Sequence, residues 1–316
     1  MSNKNKISVL VIAAVLLTAL FLFFDIGSNW DYVLPRRVTK ITAIVLAGAS
    51  IAYSTLVFQT ITNNRILTPS ILGLDSLYLL IQTVVVFVFG SATVMIMQAQ
   101  VNFLVSLGFM IVFSSFLFKL LFRKKGQNIY FLLLIGIILG TLFESFSAFM
   151  QVLIDPNEFL IVQDRMFASL NNVNSGIIWI ALILLAAAVL YSLKFFKYLD
   201  VMSMGREHAI NLGVNYDFVV KRLLFVVTIL ISVPTALIGP ITFLGLLVVN
   251  VTYEFLKTYQ HKFLIIGSML VSIIALVGGQ LIVERIFSFS VPISVIINFI
   301  GGIYFIYLLL KERKSW

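Results

Sequence analysis

Two acidic side chains fall inside or beside long apolar segments, where an ionisable group is a candidate for function. Glu144 lies in the middle of the segment 129–152, and Asp75 lies near one end of the segment 70–90. Acids at membrane depth are costly and often mark proton or ion pathways. Glu144 could therefore be the proton or cation site of a secondary transporter. The alternative is a protonated side chain, or one that faces a water-filled pathway, and a single central acid without basic partners favours that alternative.

Other reactive residue types give no recognisable constellation. The chain contains two His residues, His208 and His261, and we place both in cytoplasmic loops without an acidic or His partner at metal-ligand spacing. It has no G-x-x-x-x-G-K-[ST] phosphate-binding sequence, and its Cys count of zero excludes disulfides and thiolate chemistry. We therefore expect no catalytic residue, no metal site and no directly bound cofactor, and enzyme activity is the least supported class.

The composition indicates that lipid is the solvent for most of the surface. Of 316 residues, 61% are hydrophobic and only 11% are charged, whereas soluble domains carry about 25% charged residues. The mean hydropathy is +1.09. Only helices and closed barrels satisfy their backbone groups in lipid, and the apolar runs are too long and too continuous for barrel strands. The sequence therefore predicts an all-α, polytopic integral membrane protein.

Hydropathy predicts about ten spans, read directly from the sequence. They lie near 7–24, 38–59, 70–90, 94–122, 129–152, 176–196, 219–238, 241–256, 263–283 and 292–310. The first run follows Lys4 and Lys6, as in a signal peptide, but no small-residue cleavage site follows it, so we expect a retained signal anchor. The eighth is short and begins at Gly239-Pro240, which is typical of a broken helix at a functional place.

Basic residues orient these spans. With the N-terminus in the cytoplasm, 17 of the 22 Lys and Arg residues fall on the cytoplasmic side and five fall outside. The five outer residues are Arg36, Arg37, Lys40, Arg165 and Arg285. Because cytoplasmic loops carry the excess of positive charge, we expect both termini in the cytoplasm. The net charge of +9 is then explained by orientation, and nucleic-acid binding is not needed.

One cytoplasmic segment, at 197–218, has the pattern of a short amphipathic helix. Ser203 is a suitable N-cap, Arg206 and Leu212 fit the helical pattern, and Gly213 stands where a helix-ending glycine belongs. Mixed charged and apolar residues on a short helix form a docking surface. The alternative is a solvated loop, and the pattern alone leaves both open.

Several motifs resemble those of a known transport family. They are the segment at 33–37 (VLPRR), the segment at 47–50 (AGAS), Gln59, the segment at 61–73 (ITNNRILTPSILG), and later the segments at 204–214, 239–246 and 284–305. In this order they are similar to the iron-siderophore and vitamin B12 permease family, the membrane subunits of binding-protein-dependent ABC importers. The likeness covers essentially the whole chain and is greatest to Bacillus-type catecholate siderophore permeases, petrobactin permeases in particular.

The chain departs from the family pattern at three places. Val33 replaces the first Arg of R-x-P-R, the segment at 64–67 (NRIL) replaces N-P-L-A, and the segment at 249–250 (VN) replaces P-H. We interpret these departures as variation within a divergent branch of the family.

The resemblance implies a single permease domain over 1–316 with the type II ABC importer fold, and a coupling helix near 203–214. The residues that it assigns to contact with a cytoplasmic ATPase are Met204, Gly205, Arg206, Glu207, Ala209, Leu212 and Gly213. Arg36 and Arg285 match arginines that hold carboxylates of the extracellular binding protein, although membrane-interface anchoring is an alternative for Arg36. The path between two permeases would be lined by Gln59, Glu144, Ser147, Thr242 and Asn298.

The implied partners are a second permease subunit in a heterodimer, two ATP-binding subunits in the cytoplasm, which use the ATP, and an extracellular substrate-binding lipoprotein. The cargo would be a ferric siderophore crossing the cell membrane, and haem or cobalamin is an alternative because permeases for these cargoes share the scaffold.

Overall fold

The computed structural model describes residues 2–25, 29–96, 99–121, 129–171 and 173–313. These residues form helices and turns without a β-strand. The helices are α1 (Asn3–Phe23), α2 (Trp30–Thr62), α3 (Leu74–Ile96), α4 (Ala99–Leu121), α5 (Ile129–Leu153), α6 (Pro156–Met166), α7 (Ser175–Ser192), α8 (Phe196–Met202), α9 (Arg206–Asn211), α10 (Tyr216–Ile238), α11 (Leu244–Leu256), α12 (His261–Arg285) and α13 (Ile293–Arg313). Short 3₁₀ turns cover Pro69–Leu72 and Leu193–Phe195.

Each predicted span overlaps one of these helices. Among the described residues, eight helices are long and apolar enough to cross a bilayer, and the segments Leu74–Gly90 and Leu244–Leu256 are shorter apolar helices. The all-helical, polytopic class is therefore confirmed, while the number of crossings stays a prediction. Parts of the fourth span, at 97, 98 and 122, lie outside the described residues, as do the predicted cytoplasmic cations Arg123, Lys124, Lys125 and Lys314.

Helix α2 is the centre of the bundle. It is 33 residues long, and nearly every residue from Ala43 to Thr62 is buried against neighbours that include α10 and α12. Helices in lipid associate by close packing at small residues. A Cβ at Gly48 would lie 3.0 Å from Leu276 and Ser272 of α12, and one at Gly245 of α11 would lie 2.0 Å from the Thr55 hydroxyl. Glycines therefore let α11 and α12 approach α2 closely.

Polar contacts sort the helix ends into two groups, at opposite ends of the bundle. At one end, the Lys6 ammonium donates to the Phe255 carbonyl over 2.7 Å, which joins the start of α1 to the end of α11. At the other end, the Lys40 ammonium lies 2.8 Å from Glu284 Oε1, which joins the first part of α2 to the end of α12. The first end also holds α8 and α9 and is called the α9 end below; the second is called the Arg36 end.

Helix α6 was not predicted. It begins at Pro156 after Asp155, whose carboxylate accepts the Asn157 N–H over 2.9 Å as an N-cap. Its 11 residues include charged side chains and are too few to span a bilayer, so a search for long apolar runs passes over it.

Candidate functional site

The α9 end carries a six-residue helix with well-defined boundaries. Gly205, with φ of +98°, is its N-cap, and it ends in a Schellman motif in which the Val214 N–H donates to the Ala209 carbonyl and the Gly213 N–H to the Ile210 carbonyl. Gly213 has a φ of +84°, so the predicted helix-ending glycine is confirmed. The predicted N-cap Ser203 is wrong: it is the C-cap of α8, and its hydroxyl donates to the Asp200 carbonyl.

Helix α9 presents a mixed apolar and charged surface to solvent. Met204 and Leu212 expose 58% and 63% of their surface, and Arg206 and Glu207 are also exposed. Ala209 has no exposed surface, so it supports the helix from within and is corrected from a contact residue to a packing residue. Ile210, which is 43% exposed, occupies the outer side in its place. We define the α9 surface as Met204, Arg206, Glu207, Ile210 and Leu212.

A buried histidine ties the segment before α9 to the body of the bundle. The His261 ring is 1% exposed; its Nδ1 lies 2.6 Å from Asp200 Oδ1 and its Nε2 lies 2.8 Å from the Thr60 hydroxyl. The His261 backbone N–H also donates to Asp200 Oδ1 over 2.8 Å. The predicted placement of His261 in a loop is therefore wrong. His261 begins α12 and joins α8, α12 and α2 at one point.

Two further contacts hold residues on either side of α9 at the same end of α2. The Tyr216 hydroxyl donates to the Ile61 carbonyl over 3.0 Å. The Asn63 side chain also reaches Gly205, since a Cβ added to Gly205 would lie 3.8 Å from the Asn63 side-chain amide nitrogen. Helix α9 therefore packs on α8 and the start of α10, and these two helices in turn contact α2.

Arg36, Arg37 and Arg285, at the Arg36 end, have different surroundings. Arg36 is exposed, with its guanidinium carbon 4.1 Å from the centre of the Tyr32 ring. Arg37 donates to the carbonyls of Phe21 and Phe24 over 2.9 and 2.8 Å and so caps the end of α1. Arg285 is paired with the Asp25 carboxylate. Among the described residues, Arg36 has no carboxylate partner, so its charge can meet another molecule.

Glu144 and Ser147, two of the residues assigned to a path, lie one turn apart on α5 in different environments. Glu144 is exposed and accepts a hydrogen bond of 2.8 Å from the Ser76 hydroxyl. Ser147 is 4% exposed and shares a hydrogen bond of 2.9 Å with Thr83 of α3. Glu144 therefore lies on the outer face of α5, whereas Ser147 joins α5 to α3.

The other three path residues lie in or beside irregular backbone. Gln59 is 2% exposed, and its side-chain amide donates to the Arg65 carbonyl over 2.6 Å. The Asn250 side-chain amide donates to the same carbonyl over 3.0 Å. Asn298 accepts the Phe243 N–H over 3.3 Å, beside the break between α10 and α11. Thr242, in that break, donates to Asp75 Oδ2 over 3.4 Å. The structure does not gather the five path residues into one cluster.

Acidic and His side chains do not form a metal centre in the part of the chain that the structure describes, where no group of three or more could hold an ion. The polar groups of these surfaces are suited to protein–protein contact and to holding backbone in place.

Three comparisons place the chain among known proteins. The model of the FecCD transport family matches residues 7–311. The chain is 62% identical over 316 residues, all of both chains, to the petrobactin import system permease protein YclO of Bacillus subtilis (strain 168). It is 37% identical over 283 residues to the petrobactin import system permease protein FatC of Bacillus anthracis, covering 89% of this chain and 79% of that protein.

A solved structure of a metal-chelate type ABC transporter in an inward-facing conformation superposes with a TM-score of 0.85, covering 98% of this chain and 100% of that one at 21% sequence identity. This likeness confirms the predicted type II importer permease fold. The chain belongs to the FecCD transport family.

Proposed function

From its membership of the FecCD transport family, we propose that this chain is the permease subunit of an ABC importer that brings a ferric siderophore of the petrobactin, catecholate-containing type into the cell. The observation that carries the proposal is the 62% identity, over the full length of both chains, to a petrobactin import permease. The whole of residues 1–316 then forms one permease domain. The chain itself hydrolyses no ATP and binds no cofactor, because two separate ATP-binding subunits supply the energy.

The α9 surface is proposed to dock in a cleft of an ATPase subunit. Its exposed apolar residues Met204, Ile210 and Leu212 would be costly to leave in water, and Arg206 and Glu207 beside them give the contact a polar rim. Gly205 and Gly213 set the boundaries of the helix, since both have positive φ. The bridge from Asp200 through His261 to Thr60 would pass a displacement of α9 to α2 and α12.

This assignment places the α9 end in the cytoplasm together with both chain termini. Support comes from the excess of Lys and Arg on that side of the predicted spans, 17 against five. The Lys6 contact with the Phe255 carbonyl is consistent with it, because it brings the first helix to the end that carries α9.

The Arg36 end is proposed to receive the extracellular lipoprotein that captures the siderophore. Arg36 is the residue best placed to meet a carboxylate of that partner, since its guanidinium is exposed. Arg285 would have to share its charge with Asp25 of the same chain, so we expect it to contribute less. Such pairs chiefly fix orientation and accelerate encounter.

A second permease, in a heterodimer, is proposed to cover the outer face of α5. A carboxylate facing hydrocarbon is costly, yet Glu144 is exposed in the isolated chain, where it accepts a hydrogen bond from Ser76. Protein or a water-filled path on that face removes this cost. The path would therefore follow Glu144 and the nearby break at Thr242 and Asn298. Gln59 and Ser147, which are buried, would support the residues that line it.

Uptake measurements test the proposal. A deletion strain grown under iron limitation should lose uptake of labelled ferric petrobactin and regain it with this gene, while haem and cobalamin uptake stay unchanged. A proton- or sodium-coupled carrier centred on Glu144 is the competing candidate. It predicts uptake that collapses when an uncoupler is added while ATP is maintained. Uptake that survives deletion of the partner ATPase would overturn the importer assignment.

A further inference from the structure

An apolar groove of about 370 Å³ opens on the outer surface of the bundle between α4, α7 and α10. Its walls include Ile111 of α4, Leu184 and Ala187 of α7, and Phe225 and Ile229 of α10. These residues belong to candidate membrane spans, so the groove opens at the depth of the bilayer. The small side chain of Ala187 leaves the depression open, and hydrocarbon is the natural filling for a concave apolar surface in a bilayer.

The groove is polar at one end only. Arg222 and Tyr191 both line it, and both lie at the α9 end, because Tyr191 is near the end of α7 and Arg222 is in the second turn of α10. Ile229 lies seven positions after Arg222, which is about 10 Å along a helix at 1.5 Å per residue. An acyl chain lying along the walls would therefore bring its headgroup to Arg222.

The surroundings of Arg222 match the headgroup level of a bilayer. Tyr191, Phe195 and Phe218 form a row with ring-centre distances of 5.5 and 6.3 Å, as in the aromatic belts at membrane interfaces. Two cations flank the row: Lys194 Nζ lies 5.8 Å from the Tyr191 ring, and the Arg222 guanidinium carbon lies 5.3 Å from the Phe218 ring. The row marks the mouth of the groove.

These two cations are available to an anion. Both side chains are exposed, and within the described ranges neither Lys194 nor Arg222 is in an ion pair. Asp217, the acid next to the row in sequence, is engaged by Arg206 at 3.8 Å. An apolar groove that ends at Arg222, with Lys194 beside the adjoining Tyr191 ring, complements a molecule with a hydrocarbon tail and a negative head.

We propose that this groove is a binding site for an anionic phospholipid, with an acyl chain between α4, α7 and α10 and its phosphate at Arg222 and Lys194. Basic pockets between membrane helices on the cytoplasmic side suit anionic headgroups, and each Lys or Arg near the surface contributes enough attraction for about a fivefold change in affinity. The lipid headgroup would then lie at the start of the segment that leads from α7 through α8 to α9.

Native mass spectrometry of the purified transporter tests the headgroup. Dioleoyl phosphatidylglycerol and dioleoyl phosphatidylcholine, which share acyl chains, are titrated separately. The anionic lipid should bind more tightly, and Arg222→Gln should weaken its binding about fivefold. Lys221→Gln is the matched control, because it removes the same charge one position earlier and outside the groove lining. Equal binding of the two lipids, or equal effects of the two substitutions, would overturn the proposal.

A second pair of variants tests the acyl chain. Ala187→Phe should fill the groove and weaken binding of both lipids, whereas Ala186→Phe, also exposed but outside the lining, should leave binding unchanged. Indistinguishable effects of Ala187→Phe and Ala186→Phe would also overturn the proposal, as would displacement of phosphatidylglycerol by inorganic phosphate, since a free anion would then be the ligand.

Discussion

The imidazole Nδ1 of His261 lies 2.6 Å from the carboxylate Oδ1 of Asp200, a residue 61 positions earlier in the chain. The ring is buried while the Asp200 side chain is 47% exposed, so the pair reaches from the interior of the bundle to its surface. Its far side touches Thr60 of α2. This contact makes the segment before α9 part of the bundle.

Removing either member of this pair should loosen α9 and reduce coupling. We expect His261→Ala and Asp200→Ala each to lower the uptake achieved per ATP hydrolysed in proteoliposomes with the partner subunits. In a double-mutant cycle of thermal stability, the two changes should show a coupling energy of about 1–2 kcal/mol. His261→Gln, which can still donate one hydrogen bond, should recover part of the loss. Strictly additive effects with an unchanged transport-to-hydrolysis ratio would mean that the pair does not position α9.

Replacing Arg206 and Leu212 together with Ala should cut ATPase-dependent uptake while the protein remains inserted. Both side chains are exposed on the α9 surface, so little packing is lost in the chain itself. Uptake and membrane abundance are measured together. Tyr259→Ser is the control, because Tyr259 is 73% exposed and lies outside the α9 surface. Since the chain has no Cys, a Cys placed at position 212 should also cross-link to a Cys in the ATPase cleft. Normal uptake by the double variant would remove the docking assignment.

Reversing the charge of Arg36 with Arg36→Glu should weaken the stimulation of ATP hydrolysis by the binding protein, most strongly at low salt, where charges are least screened. Arg37→Gln should behave differently and lower the thermal stability, because Arg37 holds the last carbonyls of α1. Stimulation curves at two salt concentrations and melting temperatures separate the two effects. If Arg36→Glu leaves stimulation untouched at low salt, Arg36 is an interfacial anchor only.

Neutralising Glu144 with Glu144→Gln should leave ATP-driven siderophore uptake close to that of the unmodified chain. The amide can still accept the hydrogen bond from Ser76, and an anionic cargo gains nothing from a carboxylate in its path. Initial uptake rates with and without an uncoupler provide the measurement. Loss of uptake in this variant, together with uncoupler sensitivity of the unmodified chain, would instead support proton coupling.

Adding a methyl group at the contact between α11 and α2 should destabilise the bundle. In Gly245→Ala, the new Cβ would lie 2.0 Å from the Thr55 hydroxyl, so one helix must move. Overpacking of this kind costs about 1–3 kcal/mol. Gly278→Ala is the control, since a Cβ there meets nothing within 4 Å. Melting temperatures of the two variants in detergent should differ clearly, and equal values would contradict the packing account.

Local patterns were sufficient for most of the fold and for part of the site. Apolar runs predicted the long helices because lipid requires them, and Gly213 predicted the end of α9 because a left-handed residue suits glycine. The start of α9 was misplaced because Gly205 takes the N-cap position that Ser203 was expected to fill. A capping preference could not reveal that α8 extends to Met202.

Partners that are distant in the chain were not predictable from one sequence. His261 with Asp200, and Arg285 with Asp25, meet across 61 and 260 positions only because helices pack in a particular order. The same holds for Ala209, whose burial depends on which side of α9 faces the bundle. The pairing of a buried His with a partly exposed acid can be recognised only once the packing of the helices is known.

Helix α2 has a mechanical consequence for the proposed importer. It is continuous from Trp30 to Thr62, about 50 Å at 1.5 Å per residue, so Arg36 and Thr60 sit near the two tips of one rod. Arrival of a loaded carrier at one tip can tilt the other tip without passing through any loop. Two Gly substitutions in the middle of α2, which keep its length and register, should therefore weaken the coupling between the two docking surfaces.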